Sequence, residues 1–402
     1  MATNNANGSS GGNSPAANSS NPVAQNAAAR RALIPGPNTQ TVRRIQQIGT
    51  FSPTYTAGQQ QTIIVNPAPV GIITRFIIRV SANIAQGNAE TQTRVQNGAA
   101  AFFSNVLYVD TSNQTRINCT GWYLNQLAML RRRRILGGAL TSDISGVGGI
   151  GANYTSNIMA APSSVTTSVP FVTYYEVPLA YGKDDLRGAV LAALINATQS
   201  LTLTINPNFF VTSTDTVNVA EAAYQSSSSQ LGVITNINIT VYQEYIDQFG
   251  GLALPQIDLG TQYLLQTVGG YIPVANQDLI VPYSNFRLFM STVLRYNNSG
   301  TFSAGSDVNY IAIRTANATD LIHVDPYTLT LQGREWCGDD LPAAYYWINH
   351  REKPLFTNQF GNLSWVFQAN NVTGVNSTVT VGYEQLALMN QLPAAGAIPS
   401  GG

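Results

Sequence analysis

Alternating apolar and polar positions dominate the chain from Phe51 onward. In Thr235–Val241, Ile237, Ile239 and Val241 face one way, and Asn236, Asn238 and Thr240 face the other. Leu201, Leu203 and Ile205 alternate with Thr202 and Thr204, and Val379, Val381 and Tyr383 repeat the pattern. A period of two with one buried and one wet face predicts antiparallel strands. Denser apolar runs at Thr62–Val65, Gly71–Ile84 and Ala101–Asp110 predict further strands. Gly300–Asn317 reads as an extended, polar-faced segment in which Phe302, Val308, Tyr310, Ile311 and Ile313 sit among Ser, Thr and Asn.

Helical spacing occurs in two stretches. Asp184–Ile195 places Leu186, Ala189, Val190, Ala193 and Leu194 behind a candidate Asp cap, and Gly121–Ile135 is the other. Thr39–Ile48 fits either one basic amphipathic turn or a strand lead-in. Many strands, two helices and Gly/Ser/Thr-rich loops at 137–170 and 212–232 predict an all-β chain built of sandwiches. Two echoes divide it. Thr240-Val241-Tyr242-Gln243-Glu244 is answered by Thr380-Val381-Gly382-Tyr383-Glu384, and Ile63-Ile64-Val65-Asn66-Pro67 by Leu279-Ile280-Val281-Pro282. They point to two sandwiches in tandem with a boundary near Phe249–Leu254.

Length agrees, since 402 residues exceed what one core usually organises. Charged residues make up only 10% of the chain, against roughly 25% in an ordinary soluble domain. Such a surface suits a protein covered by neighbours or serving as an inert shell. The formal net charge is zero, so no global field favours nucleic acid. Yet no Asp or Glu precedes Glu90, while Arg30, Arg31, Arg43, Arg44, Arg75 and Arg79 all do. A basic N-terminal arm suits phosphate or lipid headgroups, and a few solvated arginines suit the sequence equally well. Residues 1–29, rich in Asn, Ser, Ala and Gly, predict disorder or ordering on assembly. The N-terminus shows no secretory h-region and no run reaches the ~18 apolar residues of a membrane span, so the chain reads as soluble.

Little in the chain points to catalysis. Gly146–Gly151 fits G-x-G-x-x-G but lies in a Gly/Ser loop without the flanking strand and helix of a dinucleotide site. His323 and His350 lie near Asp320, Asp325 and Glu352 without a nucleophile elbow. Asp184-Asp185 and Asp339-Asp340 read as a cap and a turn. Cys119 and Cys337 form no metal or redox motif and read as small core or interface residues. No enzyme, cofactor or metal is expected. Arg131–Arg134 reads as a solvated run, or as a salt-sensitive contact with a neighbouring subunit or a genome-side membrane.

Tyr175–Ala192 (YEVPLAYGKDDLRGAVLA), Thr240–Gln248 (TVYQEYIDQ), Leu254–Leu259 (LPQIDL), Gly300–Asn317 and Arg351–Phe356 (REKPLF) together resemble successive segments of the tectivirus major capsid proteins. Pro69–Ile84 and the CTGWYLN around Gly121-Trp122 fit the same pattern upstream. The resemblance implies a double jelly roll, two tandem eight-stranded jelly rolls with a few short helices. It divides the chain into a flexible basic arm (1–48), rolls at 49–248 and 249–392, and a flexible tail (393–402). It also implies a homotrimer with a pseudo-hexagonal base in the icosahedral shell of a bacteriophage, made in the host bacterial cytoplasm. Partners would be neighbouring capsomers, minor capsid and vertex proteins, and an internal membrane met by Arg30, Arg31, Arg43 and Arg44. No sequence-specific nucleic-acid binding is implied. Candidates for trimer contacts are Phe302, Asp307, Tyr310, Arg314, Arg351 and Lys353. A receptor-binding or spike jelly roll of a virion is the competing reading.

Overall fold

The computed structural model describes residues 41–85, 92–95, 98–131, 168–182, 185–192, 198–216, 218–227, 230–248, 261–303, 305–337, 344–357, 362–374 and 376–388. Arg30, Arg31, Arg132–Arg134, Asp339, Asp340, the Gly146–Gly151 loop and the 393–402 tail lie outside them.

The first half contributes β1 (Thr41–Phe51), β2 (Gln61–Val65), β3 (Ile72–Ala85), β4 (Gln92–Arg94), β5 (Phe103–Val109) and β6 (Thr115–Cys119). After helix α1 (Gly121–Arg131) come β7 (Val169–Pro178), β8 (Val190–Leu191), β9 (Ser200–Ile205), β10 (Phe210–Val211), β11 (Tyr224–Ser226) and β12 (Val233–Gln248). The second half holds β13 (Thr261–Tyr271), β14 (Asp278–Pro282), β15 (Leu288–Asn298), β16 (Thr301–Phe302), β17 (Val308–Thr315) and β18 (Asp320–Val324). Helix α2 (Pro326–Cys337) precedes β19 (Tyr345–Asn349), β20 (Leu355–Phe356), β21 (Leu363–Ala369) and β22 (Thr378–Leu388).

The sheet orders define the fold. One sheet of the first half runs β1-β12-β3-β7 and the other β6-β5-β9-β2. In the second half the orders are β13-β22-β15-β19 and β14-β21-β17-β18. Counted among the eight principal strands of each half, both read first-eighth-third-sixth facing second-seventh-fourth-fifth. That double Greek key is a jelly roll, present twice. The echoes seen in the sequence fall on corresponding strands: Thr240–Glu244 and Thr380–Glu384 on the eighth, Ile63–Val65 and Leu279–Pro282 on the second. The alternating residues Ile237, Ile239, Val241, Val379 and Val381 are buried as the pattern requires.

Three local outcomes differ from or extend the sequence reading. The helix expected over Asp184–Ile195 is absent from its described residues, which form a turn and the short strand β8 against Ile72 and Ile73. Gly188 there adopts φ +85°, and a Cβ at that position would lie 2.3 Å from the Tyr263 Cβ, so close approach to the second half dictates the backbone. The apolar spacing is satisfied by extended chain burying Ala189 against Ile72 and Ile246. Conversely, α2 carried only weak signals. Asp325 caps it, accepting from the Tyr327 and Thr328 N–H groups at 2.9 and 3.0 Å, and Pro326 sits at the first helical position. Thr328, Thr330 and Gly333 dilute its helical propensity. The described part of Thr39–Ile48 is strand: β1 begins at Thr41 and pairs with β12 from Thr41↔Gln248 to Phe51↔Ile239.

Candidate functional site

The two rolls join edge to edge. β6 pairs in parallel with β13, Ile117 beside Leu265 and Asn118 beside Gln266, producing a ten-stranded sheet that runs through both halves. Helix α1, which follows β6 after Thr120 alone, then lies over the outward face of the second roll's β13-β22-β15-β19 layer. β15 is consequently buried on both faces, with every position from Phe289 to Asn298 buried, Ser291, Thr292 and Arg295 included. Its inward Leu294 and Tyr296 join the second roll's core, and its outward Val293 joins the first roll's core. Gly382 on β22 makes the approach possible, since a Cβ there would stand 2.1 Å from the Tyr123 ring.

Two ion pairs lie on that seam, one between a buried arginine and a half-exposed glutamate and one largely buried on both sides. Arg295, 2% exposed, pairs with Glu221 of the first half at 2.8 Å and donates to the Ala220 carbonyl at 2.6 Å. Its guanidinium stands 5.2 Å from the Trp122 ring, 5.6 Å from Phe302 and 5.9 Å from Tyr345. Glu384, fully buried, accepts from Arg351 at 2.6 and 2.8 Å, from Tyr263 at 2.6 Å and from Ser291 at 2.8 Å. Burial alone would push its carboxyl up, but the Arg351 and Arg131 charges and the Tyr263 hydroxyl outweigh that and hold it below the usual range. Arg131 donates to Tyr263 at 3.1 Å and to the Ala180 and Tyr181 carbonyls at 2.9 Å. It thus serves the seam from the end of α1 instead of standing in solvent. Trp336 of α2 closes the seam by donating to the Leu130 carbonyl at 2.9 Å.

The outward faces beyond the seam carry polar networks. On the first roll, Glu244 accepts from Arg75 at 2.7 Å, from Thr74 at 3.1 Å and from Arg43 at 3.2 Å, while Arg75 also meets Glu176 at 3.1 Å. Arg44 pairs with Asp247 at 3.3 Å. On the second roll, Arg314 bridges Asp278 at 2.8 Å and Asp320 at 2.6 Å, and Tyr310 donates to Asp278 and stacks on His323 at 4.3 Å. Burial pushes the Asp278 carboxyl up, but hydrogen bonds from Tyr310, Arg314 and Gln368 hold it below its ordinary value.

The six residues expected at trimer contacts therefore divide. Phe302 and Arg351 belong to the seam within the chain. The carbonyl of Asp307 accepts from the Asn370 and Asn371 N–H groups at 2.8 and 3.2 Å, tying two loops together. Tyr310 and Arg314 are on the second roll's outward face, and Lys353 is exposed. Sequence reasoning missed Arg295, Glu221, Tyr263 and Glu384 as a functional set. Only the Glu244/Glu384 echo hinted at it. His350 is buried with Nε2 unpartnered among the described residues, and burial pushes its imidazole down to about 4. No cluster of three or more His, Cys, Asp or Glu among the described residues is placed to hold a metal.

Comparison with known proteins gives a consistent answer. The family described as P3 major capsid protein N-terminal matches residues 20–249, and P3 major capsid protein C-terminal matches residues 260–400. The Major capsid protein P3 of Enterobacteria phage PRD1 is 32% identical over 383 residues, covering 94% of each chain. Among solved structures, the STIV MCP superposes with a TM-score of 0.61 at 12% identity, over 88% of this chain and 99% of that one. The PBCV-1 virus capsid follows with a TM-score of 0.55 at 9% identity, over 87% and 95%. At these identities the structural likeness shows the fold alone. The matches span both halves, which sets aside the spike reading and leaves no catalytic site to carry over. The chain belongs to the P3 major capsid protein family, the tectivirus-type double jelly-roll proteins that form the capsid of a bacteriophage virion.

Proposed function

We propose that three copies of the chain form a capsomer in which six rolls stand in a near-hexagonal ring, and that these capsomers tile an icosahedral shell around an internal membrane. The observation that carries this reading is the repeated jelly-roll topology with its edge-to-edge join at β6 and β13. One roll-to-roll step repeated six times closes a ring if each step turns about 60°, and a closed ring leaves no dangling interface to drive filaments. Neighbouring capsomers and minor vertex proteins meet its rim. The acid-free segment carrying Arg30 and Arg31 faces anionic lipid headgroups, and Arg43 and Arg44, paired with Glu244 and Asp247, fix its root on β1.

Light scattering on the purified protein tests the assembly. A species at three times the 43.1 kDa chain mass that persists on dilution is expected, whereas a stable monomer contradicts it. Flotation with vesicles tests the arm: binding to anionic but not neutral vesicles is expected, and lost when Arg30 and Arg31 become Gln.

A further inference from the structure

The seam inside the chain has an unpartnered counterpart on its surface. β18 ends at Val324 and α2 opens at Pro326 after one residue, as β6 ends at Cys119 and α1 opens at Gly121. Both helices pack on the corresponding strands of their own roll, α1 on β5 and β7, α2 on β17 and β19. α1 is covered by the second roll, but α2 leaves Tyr327 67% exposed and Leu331 54% exposed on one face. β18 and β1 are both sheet edges among the described residues, rows of open backbone groups of the kind proteins rarely leave bare.

The receiving faces correspond residue by residue. Register places Thr380, Arg295 and Tyr345 side by side across β22, β15 and β19, and Thr240, Arg79 and Tyr174 side by side across β12, β3 and β7. The same three residue types thus occupy the same three strands of each roll. Glu384 opposes Leu265 as Glu244 opposes Ile45. In the second roll this face is sealed by α1, so Leu265 and Tyr345 are buried. In the first it is open, and Ile45 is 60% and Tyr174 42% exposed. Among the described residues no carboxylate pairs with Arg79.

We propose that the outward face of β1-β12-β3-β7 is the docking surface for α2 and the β18 edge of a second copy of this chain. Tyr327, the second residue of α2, seats over Arg79 and Tyr174 of that copy, as Trp122, the second residue of α1, seats over Arg295 and Tyr345. Thr328 lies on Tyr242 where Tyr123 lies on Gly382, exchanging a large-on-small contact for a small-on-large one. β18 runs parallel to β1, Ile322 beside Ile45, as Ile117 runs beside Leu265. The surface rests on the capsomer reading above and names its contacts.

The test uses the full chain with Tyr327→Cys and Tyr174→Cys together, treated with a short thiol crosslinker; the wild type with Cys119 and Cys337 sets the background. Chain-to-chain products up to a closed trimer are expected. Tyr327→Glu, at an exposed position, is expected to keep the wild-type thermal melt of the monomer and weaken self-association about tenfold or more. If the wild type associates, the double-Cys chain gives no products above background and Tyr327→Glu associates normally, this surface is overturned while the capsomer reading stands. A wild type that stays monomeric at all concentrations overturns both.

Discussion

Glu244 and Glu384 occupy the same place in two copies of one fold, and their surroundings differ. Glu384 lies under α1 with Tyr263, Ser291 and Arg351 around it and no access to water. Glu244 is served by Arg43 and Arg75, whose side chains remain 25% and 32% exposed. One position of a repeated sheet has become an internal joint, and the other has stayed an outward-facing polar cluster. What separates them is whether a helix from another roll covers the sheet, and Gly382 against Tyr242 marks that choice in the sequence.

The contrast is broken most severely by Glu384→Gln. Removing the carboxylate strands the largely buried Arg351, and a loss of about 3–5 kcal/mol in chemical denaturation is expected. The matching change Glu244→Gln, with its partners part-solvated, is expected to cost about 1 kcal/mol in the unassembled chain. Equal losses would show that burial is not what distinguishes the two.

Acid sharpens the comparison next. The folded state holds His350 neutral down to about pH 4, whereas the unfolded chain takes up the proton near 6.5. The unfolded state then binds more protons, so stability falls as pH drops from 6.5 to 4, by about 3 kcal/mol. His350→Gln should flatten that slope in pH-dependent melts. Glu384, held below its ordinary value, adds stability that is complete above pH 4.5 and lost as pH falls further. Both groups sit in the second half, so acid should open that half first, with amide exchange in β15 and β22 rising before that in β3 and β12.

Gly382→Ala comes third. Its new Cβ meets the Tyr123 ring and must lift α1, at about 2 kcal/mol by thermal denaturation. Tyr242→Ala, on the open face, should cost less than about 1 kcal/mol until chains associate. The smallest effect belongs to Arg314→Ala. Its bridges to Asp278 and Asp320 are surface contacts, and a change under about 1 kcal/mol, shrinking further in high salt, is expected.

The repeated strands were legible because period-two alternation is local, and Thr240–Glu244 with Thr380–Glu384 betrayed the repeat itself. The stretch around Gly188 was misread as helix because its apolar spacing is met by burial against β3, a contact made far along the chain. α2 went unseen although Asp325-Pro326 is a start signal, since Thr328, Thr330 and Gly333 argue locally against a helix. Arg295 and Glu221 are far apart in sequence and meet only where the two rolls join, while Tyr263 and Glu384, equally far apart, meet through the antiparallel pairing of β13 with β22. Gly382 carries its meaning only once Tyr123 is known to rest on it.

The most direct measurement is a cryo-EM map of the associated protein at a resolution that separates side chains. The account predicts α2 of each copy lying over β1-β12-β3-β7 of the next, with Tyr327 on Arg79 and Tyr174, and Thr328 on Tyr242. A map with α2 in solvent, or with that sheet covered by any other element, would contradict it.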